Sequence, residues 1–391
     1  MKICDLTQFY SPYSGGVKRY LEQKRRFAVA NGHEHVLIIP GSVTNLSSDK
    51  SARTYAIRSP LVSRTSRYRA LLNLARVERI LQHERPDIIE SGDPYQMAWK
   101  ALAVGRSLRI PVVGFYHSHF PEAYIRTSSK YLGRDATELF MELAQNYVRS
   151  LYNEFARTLV SSQGLADVLT SWGVHNLVLN ELGVDTEIFT PAPDRHKTCA
   201  RLKIPLDRVV LLYVGRLAPE KNVKTLSQAF ELLHANARSR FHLLIVGDGP
   251  LRELVRELAD QTGQVTWLPY CGDPAELARL YRAADLFVHP SIQETFGLVA
   301  LESQACGTPV VGIRGSYMDR IIFSDQTNWS ADNSACSLAK AICDVAETDD
   351  LHSAGKKIRQ RVAARYSWNQ VFTRLFDLYA KLTPNYQHDG A

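Results

Sequence analysis

Two glutamates stand with seven residues between them in "ETFGLVALE", Glu294 and Glu302, beside a glycine and an apolar run. A carboxylate on a loop accepts hydrogen bonds from sugar hydroxyls, and one more than a turn inside a helix can reach a ribose diol. Between them the backbone amides of Phe296, Gly297 and Leu298 lie at the positive end of the helix, where a diphosphate is favoured. Taken singly, each glutamate has a plainer reading: Glu294 as a helix cap and Glu302 as an exposed helical charge.

Further polar groups make the pair part of a constellation. "YVGRLAPEKN" ends a buried strand at Gly215 and puts Arg216 and Lys221 on the following loop, where a guanidinium fork and a point-charge ammonium can neutralise a diphosphate. In "LLIVGDGP", Gly247, Asp248 and Gly249 form a strand-end turn whose amides can meet a nucleotide base. No complete G-x-G-x-x-G follows a strand anywhere, which removes support for a dehydrogenase. After the strand Lys2 to Leu6, "SGGVKRYL" opens a helix at Gly15 and Gly16, a phosphate-compatible start that an ordinary βα turn would also show. Val17, Tyr20, Leu21, Phe27 and Ala28 share that helix's apolar face.

Elements that could hold these loops alternate along the chain. "VLIIP", "PDIIE", "PVVGFYH" and "TLVSS" in the first half, and "VVLLYVG", "FHLLIVG", "VTWLPY", "LFVHPS" and "TPVVGI" in the second, are short apolar runs separated by helix-length stretches, the pattern of parallel βα units. With 391 residues, two cores are expected. The reading is α/β: two Rossmann-like, doubly wound parallel-sheet domains facing a cleft, with ligands beyond the carboxyl ends of the strands. The proline-bearing "GVDTEIFTPAPD" joins residues 1–184, the first domain, to residues 185–367, the second, whose strand-end loops carry the residues suited to a nucleotide sugar. A last helix from Trp368, with Val371, Leu375 and Leu378 in phase, occupies residues 368–391.

Composition narrows the class. No window is apolar enough to span a membrane and no signal-peptide core follows Met1, so a cytoplasmic chain is expected. The six cysteines have no metal-ligand or redox spacing. Residues 1–185 hold 23 Lys and Arg against 17 Asp and Glu, the remainder 24 against 23, so the net +7 is +6 and +1. Lys50 to Arg85 alone contains nine basic and two acidic residues. Within it, Arg69, Asn73, Arg76 and Arg79 are expected opposite Leu71, Leu74 and Leu81, a surface for anionic lipid headgroups or a solvated helix face. A nucleic-acid binder is the competing use of this segment, but aromatic residues are sparse in it and no binding motif is present.

Over nearly its whole length the chain resembles a GT-B retaining glycosyltransferase of family 4, the glycosyl transferases of group 1. The matching pieces are "SGGVKRYL", "GVDTEIFTP", "YVGRLAPEKN", "IVGDGP" and, most specifically, "ETFGLVALESQACGTPVV". The resemblance implies transfer of a hexose from a UDP- or GDP-linked donor to a hydroxyl acceptor, with retention of configuration and with neither cofactor nor metal. The absence of any D-x-D triplet agrees. It assigns Arg216 and Lys221 to the donor diphosphate, Glu294 to the sugar hydroxyls, Glu302 to the ribose and His117 to the donor sugar, with His119 and Tyr116 of second rank. A membrane lipid or lipid-linked glycan is the acceptor suggested by "YHSHFPEAY", which would place the protein peripherally at the inner face of the membrane. An epimerase or phosphorylase of the same shape is the alternative. The chain departs from the family pattern at Arg314 to Asp319 and at Asn328, so the donor base is left open.

Overall fold

A computed structural model describes residues 1–8, 10, 16–62, 68–117, 134–236, 240–292, 294, 296–316, 321–323, 329–347 and 351–383. The strands are β1 (Lys2–Leu6), β2 (Glu34–Gly41), β3 (Asn45–Asp49), β4 (Ala52–Arg58), β5 (Ile88–Ser91), β6 (Val112–Tyr116), β7 (Arg157–Val160), β8 (Leu177–Leu179), β9 (Val209–Val214), β10 (Phe241–Val246), β11 (Val265–Leu268), β12 (Leu286–Val288) and β13 (Val310–Val311). The helices are α1 (Gly16–Ala30), α2 (Leu74–Glu84), α3 (Gln96–Leu108), α4 (Arg134–Tyr152), α5 (Gln163–Ser171), α6 (Arg195–Leu202), α7 (Val223–Asn236), α8 (Arg252–Thr262), α9 (Pro274–Ala283), α10 (Leu298–Ala305), α11 (Ala335–Ala346), α12 (Leu351–Tyr366) and α13 (Trp368–Leu382). Two compact units result: Met1–Leu182 with Trp368–Ala391, and Gly183–Ser367.

In the first unit the strand order is β3-β4-β2-β1-β5-β6-β7-β8. All pairings are parallel except β3 with β4, which is antiparallel. The sequence reading omitted β3, β4 and β8. β3 is exposed throughout its length and built from "NLSSD", a polar edge that discourages further strand pairing. The second unit orders its sheet β11-β10-β9-β12-β13, all parallel. β10 is buried along all its length and β9 along most of it, as expected where helices cover both faces. Among the described residues no helix is long and apolar enough to cross a membrane.

One feature of the first core was not expected. On α1, Tyr20, Leu21 and Ala28 are buried, Val17 and Phe27 partly so, and Lys24 is buried with them. Its Nζ lies 2.7 Å from Asp5 Oδ1 on β1, 2.9 Å from Glu90 Oε2 on β5 and 2.8 Å from the Tyr379 hydroxyl on α13. His35 Nε2 meets the other Asp5 oxygen at 2.6 Å, and Tyr20 and Tyr379 donate to Glu90. Burial opposes the charge on Asp5, but the Lys24 ammonium and His35 outweigh it and bring the carboxyl down to about 2. An ammonium without such partners would be too costly to bury. Between the same two helices, α1 and α13, Phe27 packs tilted against Phe372 and edge-on to Phe376, and Tyr20 packs tilted against Phe372.

Candidate donor and transfer site

The second unit gathers polar groups at the carboxyl ends of β9, β10 and β12. After β9, Gly215 leads to Arg216, whose side chain is exposed, and to a 3-10 turn at Pro219–Lys221. Asn222 closes that turn with φ 53° and donates to Pro290 O (2.9 Å) and to Asn333 Oδ1 (3.1 Å), tying it to the loop after β12. Asn tolerates this backbone better than most residues, a signal available in "PEKN" but not used. Tyr213 donates to Arg216 O at 3.0 Å, fixing the strand-end bend from below.

The turn brings Lys221 Nζ to 2.5 Å from Glu294 Oε2. The two side chains keep 28% and 21% of their accessible surface, so both remain within reach of solvent or ligand. Burial would raise the Glu294 carboxyl, yet the Lys221 ammonium and His289 hold it below its ordinary value. Buried His289, at the end of β12, is pushed down to about 4 by burial and by Lys221, against the opposing pull of Glu294. The site therefore holds a cation, an anion and a neutral imidazole near neutral pH.

Backbone geometry around them is glycine-dependent. Gly247 has φ +149°, and a Cβ there would lie 1.9 Å from Gly215 O. The loops after β9 and β10 are zipped by Leu217 N to Asp248 O (3.0 Å) and Leu251 N to Leu217 O (2.9 Å). The Gly249 amide is turned inward to the Asp248 carboxylate at 2.7 Å. Gly297 caps α10 with φ 80°, so the helix itself starts at Leu298. Its first amides lack intrahelical acceptors. The Phe296 ring is buried and packs edge-on to Tyr366, leaving only its backbone for a ligand.

Glu302 is placed differently from Glu294. It is 2% exposed, and the Tyr281 hydroxyl donates to its Oε2 at 3.0 Å. The structure thus joins Lys221 to Glu294, sets Arg216 on the same strand end, and holds Glu302 inside the unit.

In the first unit His117 follows β6. Its ring stacks on Phe115 at 3.8 Å and stands edge-on to Tyr20 at 5.5 Å. Burial and the nearby Lys24 ammonium bring its pKa down to about 3, against Asp5, so this imidazole is neutral at working pH. Gly16 begins α1; Gly15 and His119 lie outside the described residues, as do Asp319 and Asn328.

The basic segment is less uniformly free than its composition suggested. Arg53 is bound by Glu34 and Glu84, and Arg69 precedes α2 and donates to Ser59 O. Asn73 is the cap of α2, accepting from Arg76 N at 3.1 Å. Leu71 and Leu81 are buried and Leu74 partly so, whereas Leu72 is exposed; Ile80 joins the core. Arg76 and Arg79 face solvent.

Residues 194–361 match the model of "Glycosyl transferases group 1", and residues 14–188 that of "Glycosyltransferase Family 4". A GDP-mannose-dependent alpha-(1-6)-phosphatidylinositol dimannoside mannosyltransferase of Mycobacterium tuberculosis is 30% identical over 382 residues, covering 95% of this chain and 94% of that protein. A GDP-mannose-dependent alpha-mannosyltransferase of Corynebacterium glutamicum is 28% identical, covering 82% of this chain and 74% of its own. Among solved structures, sucrose-phosphate synthase of Thermosynechococcus elongatus superposes with TM-score 0.77 at 22% identity, over 98% of this chain and 100% of its own.

Proposed function

The chain belongs to family 4 of the GT-B glycosyltransferases, enzymes that use a nucleotide-sugar donor, and from this premise we propose that it moves a mannosyl group from GDP-mannose to a hydroxyl of an inositol-bearing lipid, retaining the anomeric configuration and needing no metal. The observation that carries this reading is the end-to-end match to the mycobacterial mannosyltransferase, supported by the second GDP-mannose-dependent relative.

The residues divide the chemistry. Arg216 and Lys221 offset the charge that grows on the leaving diphosphate, the term worth most in such a transfer. Glu294 holds sugar hydroxyls and positions the anomeric carbon. An incoming diphosphate competes with Glu294 for Lys221, releasing the carboxylate for the sugar. The departing phosphate oxygen then takes the acceptor proton on the face it leaves from, so no nucleophilic carboxylate is required. His117, neutral by burial, serves as a hydrogen-bond partner to the donor sugar and carries no charge into the reaction. Glu302 is assigned to the ribose, which requires its bond with Tyr281 to be shared or broken.

A peripheral place on the membrane fits the lipid acceptor. Exposed Leu61, Val62 and Leu72 lie in the same stretch as solvent-facing Arg76 and Arg79, an apolar and cationic combination suited to an anionic bilayer surface.

The test is incubation with GDP-mannose, UDP-glucose and UDP-galactose in the presence of phosphatidylinositol and its mannosides, in EDTA, with products read by mass spectrometry and their anomeric linkage by NMR. An α-mannosylated lipid from GDP-mannose alone is expected. Use of a UDP-sugar instead, an inverted linkage or abolition by EDTA each overturns the corresponding part. Failure to sediment with phosphatidylinositol-containing vesicles at low salt would remove the membrane assignment.

A further inference from the structure

The opposite edge of the second unit's sheet carries a cavity of about 710 Å³, lined by the 190–193 loop, the Cys306 to Pro309 segment and α12. Its position is set by the parallel strands. Asp285 precedes β12 and Pro309 precedes β13, whereas Arg216, Lys221 and Glu294 follow strand ends. A six-residue strand such as β9 separates the two edges by roughly 20 Å. The cavity is therefore not part of the donor site.

Four cations line it, Arg195, Arg282, Lys356 and Arg359, against the single carboxylate of Asp285. Two of the cations are occupied by structure. Arg195 Nη1 lies 2.8 Å from Asp285, and its guanidinium also donates to Ala283 O and Arg208 O. Arg282 holds Asp194 at 2.5 Å and Ile188 O at 2.8 Å. The other two are not neutralised. Arg359 donates only to Thr190 Oγ1 at 3.2 Å, and Lys356 is exposed; among the described residues neither has a carboxylate partner.

The helix that presents them is unusual in charge. α12 contains Lys356, Lys357, Arg359, Arg361 and Arg365 and no acidic residue. Arg361 and Arg365 lie over the rings of Phe323 and Tyr366, while Lys356, Arg359 and Gln360, spaced i, i+3, i+4, share the face that lines the cavity. The wall is fixed by close backbone approach: a Cβ on Gly355 would lie 1.9 Å from Gly307 O. Two uncompensated cations beside a preformed cavity of small-molecule size match a compact dianion.

We propose that this cavity binds a phosphorylated small molecule through Lys356 and Arg359, independently of the sugar donor and of which sugar is transferred. The experiment is calorimetric titration of inorganic pyrophosphate, at constant ionic strength, into the full chain carrying Arg216→Ala and Lys221→Ala so that the donor site does not contribute. Saturable one-site binding is expected, weakened at least about tenfold by adding Lys356→Ala and Arg359→Ala, and unchanged by adding Lys357→Ala, whose side chain does not line the cavity. If the four-substitution protein does not fold, Lys356→Glu alone in the same background carries the same expectation. Absence of saturable binding in the donor-site variant, insensitivity to Lys356 and Arg359, or an equal loss with Lys357→Ala would overturn the proposal.

Discussion

Lys24 Nζ and the Tyr379 hydroxyl, 355 positions apart in the chain, lie 2.8 Å from each other in the interior of the first unit. The ammonium also meets Asp5 and Glu90, so it compensates two buried carboxylates while recruiting the last helix. Replacing it with methionine leaves both carboxylates without their cation. Lys24→Met is expected to cost about 3 to 5 kcal/mol, the range for breaking a buried ion pair on one side. Tyr379→Phe, which removes one donor, is expected to cost about 1 to 3 kcal/mol. Urea denaturation followed by circular dichroism reads both, and a Lys24→Met cost under about 1 kcal/mol would show that the network is already hydrated or neutral.

Lys221 and Glu294 are paired yet partly exposed, so their removal should affect chemistry far more than folding. An exposed or half-exposed ion pair contributes about 0 to 1 kcal/mol. Lys221→Ala and Glu294→Ala are each expected to lower kcat/KM by about a hundredfold or more, the scale of a lost transition-state contact, with thermal midpoints within a few degrees of the parent. The double variant should be little worse than either single one if the two groups act as a unit. Rates near those of the parent in both single variants would refute their assignment.

The α/β character of both units was legible because strands buried on both faces are continuous apolar runs, as in "VVLLYV" and "FHLLIV". β3 and β4 escaped notice for the converse reason: β3 is wholly exposed and β4 mostly half-buried, so neither is apolar enough to stand out. The Lys221 and Glu294 pairing spans 73 positions and could be anticipated only from the rule that loops at the carboxyl edge of one sheet converge. Lys24 was illegible, since a lysine on a helix normally reads as solvated. So was the burial of Glu302. Six consecutive residues of α10, Ala300 to Ala305, are buried, and a helix buried all round has no polar face to betray which way a carboxylate points.

That burial makes Glu302 separable from its partner by experiment. Glu302→Gln keeps an oxygen for the Tyr281 hydroxyl but removes the charge, and Tyr281→Phe does the reverse. If Glu302 serves the ribose, the glutamine variant is expected to raise KM for the nucleotide-sugar several-fold with little change in kcat or thermal midpoint. Tyr281→Phe should mainly lower stability, by about 1.5 to 3 kcal/mol for the loss of one hydrogen bond to a buried charged group. A Glu302→Gln protein that loses stability while keeping the parent KM would make Glu302 a structural carboxylate.

Acid should destabilise this protein earlier than its carboxylates alone dictate. His117 is held down to about 3 by burial and Lys24, His242 to about 4 by burial and Arg208, and His289 to about 4 by burial and Lys221. Each would take up its proton near pH 6.5 once unfolded. Below that pH the unfolded chain therefore binds more protons than the folded one, and stability falls as pH drops from about 6.5 toward 4. Asp5, held at about 2, adds a further loss only below about pH 4, where its unfolded counterpart is protonated first. The thermal midpoint is thus expected to decline steadily between pH 6.5 and 4.5, and His242→Asn, remote from the donor residues, should flatten part of that decline. A midpoint constant across this interval would show that the three imidazoles titrate in the folded protein much as they do in the open chain.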